Sequence, residues 1–219
     1  FVGEPDPPCI VCGQEECVCE KQSKRMIEVI LSDGKIRQLQ SMRTTSFWSP
    51  SGMPISSTEF LESLFGVLPD LFKNEEELRA LWSNPDTRKK LLIELSEKGF
   101  GKEQLIDFQK LLNAEKSDLY DVLGYIAFCS SIVDRASRAK KATIYINSYN
   151  AKQQEFLNFV LNQYVSEGID ELDDTKIYSL LQLKYHTIKD ANIEIGSTEK
   201  IREMFVGFQP YLYDYDTAV

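Results

Sequence analysis

SSTEFLESLFG, residues 56–66, is where the chain changes its period. Ser56 is a good N-cap type. Glu59 stands three positions on, where its carboxylate can reach back to the Ser56 backbone, so the pair reads as a capping box. Phe60, Leu61, Leu64 and Phe65 follow at the three-and-four spacing of one helical face, and Gly66 reads as the stop. The same grammar repeats downstream. Asn74 and Glu77 precede Leu78, Leu81 and Trp82. Asn84-Pro85 opens a helix that carries Leu91, Leu92 and Leu95 to about Gly99, with Pro85 where its missing N–H is harmless. Residues 102–112 carry Leu105, Phe108 and Leu112. Ser117 is read as the cap of a helix bearing Leu119, Val122, Leu123, Ile126 and Ala127. A basic helix follows over 134–141. The longest helix, 151–167, is capped by Asn150 with Gln153, bears Phe156, Leu157, Val160, Leu161 and Tyr164, and stops at Gly168. Short helices near 174–184, 187–193 and 198–206 complete the pattern.

Upstream of Ser56 the signals are of another kind. MIEVIL (26–31), IRQLQSM (36–42) and RTTSFW (43–48) are strand-like, and Asp33-Gly34 and SPSG (49–52) are turns. Residues 26–55 read as a small antiparallel β-meander. Residues 1–25, rich in Pro, Glu and Cys, show no periodicity. The fold class expected is mainly α: a helical domain over 56–219, preceded by the β segment and a Cys-rich N-terminal segment.

That segment holds four of the chain's five cysteines: Cys9, Cys12, Cys17 and Cys19. Their C-x2-C-x4-C-x-C spacing has two readings. Four thiolates can close a tetrahedral zinc site and stand in for a core that so short a segment cannot build. The alternative is a linker carrying free thiols, because C-x-C demands a sharp bend to bring both sulfurs together. Cys129 is expected to be a small buried hydrophobe on the helix before it.

The 219 residues carry 42% hydrophobic and 27% charged side chains and a net charge of −9. This is the profile of a globular protein. No apolar run reaches membrane-spanning length, and no signal peptide opens the chain, so a cytoplasmic location is expected. Phe1 followed by VGEPDPP reads as a piece of something longer. Residues 166–219 are acidic, which opposes a broad phosphate-binding face. RKK at 88–90 and DRASRAKKA at 134–142 are local basic exceptions, each readable as a solvated helix face.

The chain has no phosphate-binding glycine loop, no dinucleotide fingerprint and no nucleophile elbow. The single histidine, His186, has no nucleophile partner and reads as a surface or helix-end residue. Glu75-Glu76-Glu77 and Asp173-Asp174 lie at helix starts, where the dipole favours them. By its own residues the chain reads as a non-catalytic module that hydrolyses no ATP and cuts no DNA.

TSFWSPSGMPIS (45–56), EFLESLFGVLPDLF (59–72) and ELRALWSNPDTRKKLLIELSEKGF (77–100) are followed by EKSDLYDVLGYIAF (115–128), QQEFLNFVLNQYVSEGIDELD (153–173) and IREMFVGFQPYLY (201–213). In this order they resemble the C-terminal region of the motor and restriction (R) subunit of type I restriction enzymes, of the EcoEI-like branch, over roughly residues 5–213. The resemblance implies a nuclease domain and two ATPase lobes upstream of Phe1, where ATP and magnesium would act. It also implies modification (methyltransferase) and specificity subunits as partners, DNA in the full complex, and no membrane.

Two roles follow. In the first, the part after about residue 115 docks the R subunit on the methyltransferase core. Its final segment would help through Tyr211, Tyr213 and Tyr215, and removal of 211–219 would leave folding nearly intact. The competing reading of that segment is that Phe205 and Phe208, on one helical face, only close the domain's own core. In the second role, Arg135, Arg138, Lys140 and Lys141 form an exposed ridge that guides duplex DNA beside the motor. The net charge favours the first.

Overall fold

The computed structural model describes residues 26–41, 47–49 and 51–214. Ten α-helices make up most of them. Helix α1, Ser57–Leu71, begins with the expected capping box. The Ser56 hydroxyl accepts from the Glu59 N–H at 3.2 Å, and Glu59 accepts from the Ser56 N–H at 2.7 Å. Replacing Ser56 by Ala is expected to lower stability by about 1 kcal/mol. A shift of the urea midpoint checks this; no shift would show that Glu59 alone holds the start.

Gly66 does not stop α1. The helix runs five residues further, past an exposed Pro69, because Leu64, Leu68 and Phe72 continue one buried face. Burying a Leu or Phe is worth about 1.5–3 kcal/mol, more than the ~1 kcal/mol that glycine costs a helix interior.

Helices α2 (Glu75–Ser83) and α3 (Pro85–Glu97) follow with Asn74 and Asn84 as caps, and then α4 (Lys102–Leu111). On α4 the buried face ends at Leu111, while Leu112 is half-buried at the C-cap. Helix α5 spans Leu119–Phe128, and its cap is Asp118 rather than Ser117. The Ser117 hydroxyl is already committed to the Ala114 carbonyl at 2.6 Å. The Asp118 N–H donates to Asp121 at 3.1 Å to complete the box.

Helix α6 covers Arg135–Ile146 and α7 covers Ala151–Glu167, with the Phe156-to-Tyr164 stripe fully inside. Helices α8 (Ile177–Tyr185), α9 (Ile188–Ile195) and α10 (Thr198–Gly207) close the chain, with single 3-10 turns at Ile169–Leu172, Asp174–Lys176 and Gln209–Leu212. His186 is the exposed end of α8, with φ +63°. One continuous core runs from Val29 to Tyr213. No helix among the described residues is long and apolar enough to cross a membrane.

The β segment is present, but as two separate hairpins rather than one meander among the described residues. Strand β1 (Met26–Ile30) pairs antiparallel with β2 (Ile36–Gln40), and β3 (Phe47–Trp48) with β4 (Pro54–Ile55). Both hairpins meet α1. Phe47 of the second stacks on Phe60 of α1 at 4.4 Å and meets Phe108 of α4 edge-on at 5.8 Å, and Arg37 of the first lies over the Phe65 ring of α1 at 5.3 Å. The first hairpin also docks on the C-terminal end of α5. There Arg37 donates to the Ile126 carbonyl at 3.1 and 2.7 Å, and Lys35 to the Phe128 carbonyl at 3.1 Å.

These are carbonyls that a helix end leaves unpaired, and cations suit the negative end of its dipole. Arg37 is anchored in turn by both carboxylate oxygens of Asp33, whose pKa its hydrogen bonds hold below the ordinary value. Cys129 is half-buried, not a core residue. It caps α5 in the left-handed region at φ +62°, with its sulfur 3.7 Å from the Ile36 carbonyl oxygen.

Candidate functional site

Helix α5, LYDVLGYIAF, is apolar nearly all round, which is the mark of a buried helix. A carboxylate inside it needs a cation, and Arg138 of α6 supplies one. Arg138 is 1% exposed. It forms an ion pair with Asp121 and donates to the Leu212 carbonyl at 3.0 Å. Its guanidinium lies over the rings of Tyr120 and Tyr213, at 5.0 and 4.8 Å. Asp121 also accepts from the Val133 N–H at 3.0 Å. Burial nevertheless pushes the Asp121 pKa above the ordinary value, with Arg138 pulling it down.

Beside this pair, Asp118 accepts from the Tyr164 hydroxyl at 2.5 Å and the Tyr213 hydroxyl at 2.7 Å. Burial raises the pKa of both tyrosines, so they act as donors. The network ties α5, α6, α7 and the last turn of the chain together.

These positions revise two expectations. The four basic residues do not form one exposed ridge. Arg138 is core, and Arg135 is partly buried, donating to the Ser117 carbonyl at 2.6 Å and the Glu115 carbonyl at 3.2 Å. Only Lys140 and Lys141 of the four stand on the surface. Nor are the three tyrosines one docking element. Tyr213 is 0% exposed and belongs to the core. Tyr211 is 38% exposed and stacks on Tyr145 at 3.8 Å. Tyr215 lies outside the described residues. Phe205 and Phe208 are fully buried, as expected.

Arg88, first of the RKK run, is also internal. It donates to the carbonyls of Trp82 and Leu172 at 3.0 and 3.1 Å and to the Gln209 side chain at 3.2 Å. Gln209 in turn donates to the Leu172 and Phe205 carbonyls, both at 3.0 Å. Arg37, Arg88 and Arg138 thus hold loops and helix ends inside the fold, where they cannot meet a phosphate.

What remains outside is acidic. Two adjoining hollows lie where the α2–α3 junction faces α10 and the final turn. Their volumes are about 460 and 570 Å³, and Asn84 and Val206 line both. Pro85, Ala80, Pro210 and Tyr211 contribute apolar walls. Six carboxylates face the two hollows: Glu76, Asp86, Asp174, Glu199, Glu203 and Asp214.

A family model described as EcoEI R protein C-terminal matches residues 58–213. The chain belongs to this family. It is the C-terminal region of a type I restriction enzyme R subunit, and no curated protein or solved structure matches it. The match starts at the second residue of α1 and ends at Tyr213, the last buried side chain among the described residues. It takes in nearly all of the helical part of this R-subunit region, including the Asp118–Arg138 network and, apart from Asp214, the lining of the hollows. Both hairpins lie before it. The cysteines Cys9, Cys12, Cys17 and Cys19 fall outside the described residues, and among those described no group of His, Cys, Asp and Glu is arranged to hold a metal.

Asp118, Asp121 and Arg37 go unremarked in the sequence, while Tyr164 reads there only as part of an apolar stripe and Arg88 only as part of a solvated basic run. The all-round apolar character of 119–128 was the available signal for Asp121, since it puts the carboxylate inside whichever face packs.

Proposed function

We propose that this region docks the R subunit onto the modification and specificity subunits of its restriction enzyme. One observation supports this over DNA guidance: Arg37, Arg88 and Arg138 are spent inside the fold, and six carboxylates face the two adjoining hollows on its surface. Phosphate affinity depends on clustered, accessible cations, and Arg138 and Arg88 are not accessible. The test is titration calorimetry of the purified chain against its cognate modification–specificity complex. A saturable complex is expected, and none forming would reject docking. Fluorescence anisotropy with labelled duplex DNA is the opposing arm. Binding whose salt slope flattens in the Lys140→Ala/Lys141→Ala variant would favour DNA guidance.

The Cys-rich segment would serve as a structural zinc clip at the entry to this region, held by Cys9, Cys12, Cys17 and Cys19. Elemental analysis of the purified chain should give one zinc per chain and much less after Cys12→Ser; a metal-free wild type, purified with zinc present, would leave the free-thiol linker.

A further inference from the structure

The first hairpin turns one face to the core and leaves the other bare. Val29, Leu31, Arg37 and Leu39 are buried, while Met26, Glu28, Ile30, Ile36 and Gln38 face out. Three of the outward side chains are large and apolar: Met26 is 47% exposed, Ile30 68% and Ile36 50%. Ile30 stands directly opposite Ile36 across the ladder, and the Glu28–Gln38 pair lies between them and Met26. Single exposed apolar side chains are ordinary, but a cross-strand set on one sheet face is a patch that asks for a cover. We infer that this face seats the Cys-rich segment, residues 1–25 of the same chain. The inference stands whether or not the four cysteines hold zinc.

The edge of this sheet is open as well. The Gln38 N–H leaves the ladder and donates to the Tyr125 hydroxyl at 2.7 Å, while the Leu31 N–H bonds the Lys35 carbonyl at 3.3 Å. Facing residues of an antiparallel pair alternate between bonded and non-bonded positions. By that alternation Met26, Glu28 and Ile30 point their N–H and C=O groups away from β2. Among the described residues no other element bonds them. Such an edge accepts an added strand.

The size of the face decides between occupants. A five-residue strand is about 17 Å long, and two strands are about 10 Å across. That falls far short of the ~800 Å² that each partner gives to a stable complex. A face this small suits an occupant tethered beside it, whose linkage raises its effective concentration. Residues 1–25 run straight into Met26, the first residue of β1. Fully extended, a chain of that length reaches about 80 Å, several times the length of the face.

The chemistry of the segment agrees. Ile10, Val11 and Val18 supply apolar side chains. Its three cations, Lys21, Lys24 and Arg25, all fall in its last five residues. Glu28, between Met26 and Ile30 on the bare face, accepts from Gln38 at 3.1 Å but forms no ion pair among the described residues. A chain that doubles back over residues 21–25 brings those cations to Glu28 and carries Val18 towards Ile30 and Ile36.

The first test places a photo-cross-linking side chain, p-benzoylphenylalanine, at Ile36 of the full chain. A control chain carries it at Ile193, which is 83% exposed on α9. Mass spectrometry of the irradiated monomer should find cross-links from position 36 into residues 1–25, and none there from position 193. Cross-links from position 36 to a second copy, or none into residues 1–25, would overturn the seat.

Amide hydrogen exchange of the full chain is the second test. Residues 9–20 should exchange about tenfold more slowly than an unstructured peptide. A variant carrying Met26→Thr, Ile30→Thr and Ile36→Thr should lose that protection. Threonine keeps the strand preference, and protected Val29 and Leu39 amides check that the hairpin is intact. A wild type without protection in residues 9–20 would defeat the inference. Protection that survives the triple change would defeat it too, leaving a zinc clip that holds itself without the hairpin.

Discussion

A chain ending at Pro210 is expected to lose its cooperative fold, not merely its grip on a partner. The deletion removes Leu212 and Tyr213, which are 1% and 0% exposed. Truncating a buried Leu costs about 2–5 kcal/mol and a large aromatic about 3–5 kcal/mol. The deletion also strips Asp118 of the Tyr213 hydroxyl and Arg138 of the Leu212 carbonyl, leaving buried polar groups under-paired. Together these losses rival the whole stability of a typical domain, about 5–15 kcal/mol. A chain ending at Asp214 keeps every one of these contacts and should unfold near the wild-type midpoint. Circular dichroism and urea titration of the two truncations decide the matter. A Pro210-ended chain with a wild-type midpoint would show that the final turn is an accessory tail after all.

The second large effect is expected from Arg138→Ala, at about 3–5 kcal/mol, because it leaves the Asp121 carboxylate buried without its cation. The loss should depend on pH with a definite sign. Burial raises the pKa of Asp121 in the folded chain above its unfolded value. The folded state then binds that proton more tightly. The Asp121 contribution therefore weakens as pH rises from the ordinary carboxylate range to the raised pKa, and is flat beyond it. Removing Arg138 takes away the attraction that opposes burial, so the window stretches towards neutrality. The deficit should accordingly be largest at neutral pH and shrink on mild acidification. Adding Asp121→Asn to Arg138→Ala should remove that pH dependence. A deficit equal at pH 5 and pH 8 would mean that lost packing over Tyr120 and Tyr213, not the stranded charge, dominates.

The helices were legible because burial on a helix repeats at short range. The stripe on 151–167 and its Asn150–Gln153 cap are written in neighbouring residues, and the structure shows both. Gly66 misled because what overrides it, the burial of Leu68 and Phe72, is a tertiary effect. The antiparallel β segment was legible too; its division into two hairpins was not, because each adds partners far along the chain, Phe108 for Phe47 and the end of α5 for Arg37. The buried arginines were the least legible. Nothing beside Arg138 in sequence distinguishes it from Lys140 and Lys141. Its partners Asp121 and Leu212 lie 17 and 74 residues away. Tyr213 lies two positions from an exposed tyrosine, and distant partners, Asp118, Tyr120 and Arg138, make it core. Of the two hollows, the acids were visible as helix-start clusters, but not their meeting.

The two ends of the described chain share one support. The first hairpin grips the C-terminal end of α5 through Arg37 and Lys35, while the final turn grips its N-terminal end through Tyr213 on Asp118 and through Arg138. A ten-residue helix is a rod of about 15 Å. Tension drawn between residue 26 and residue 214 therefore has a path along that rod, through five paired strand residues at one end and a buried ion pair at the other. A parallel path leaves residue 214 through its pair with Arg79 of α2. Under the proposed docking role, α5 would be a tie-bar between a motor and its anchor.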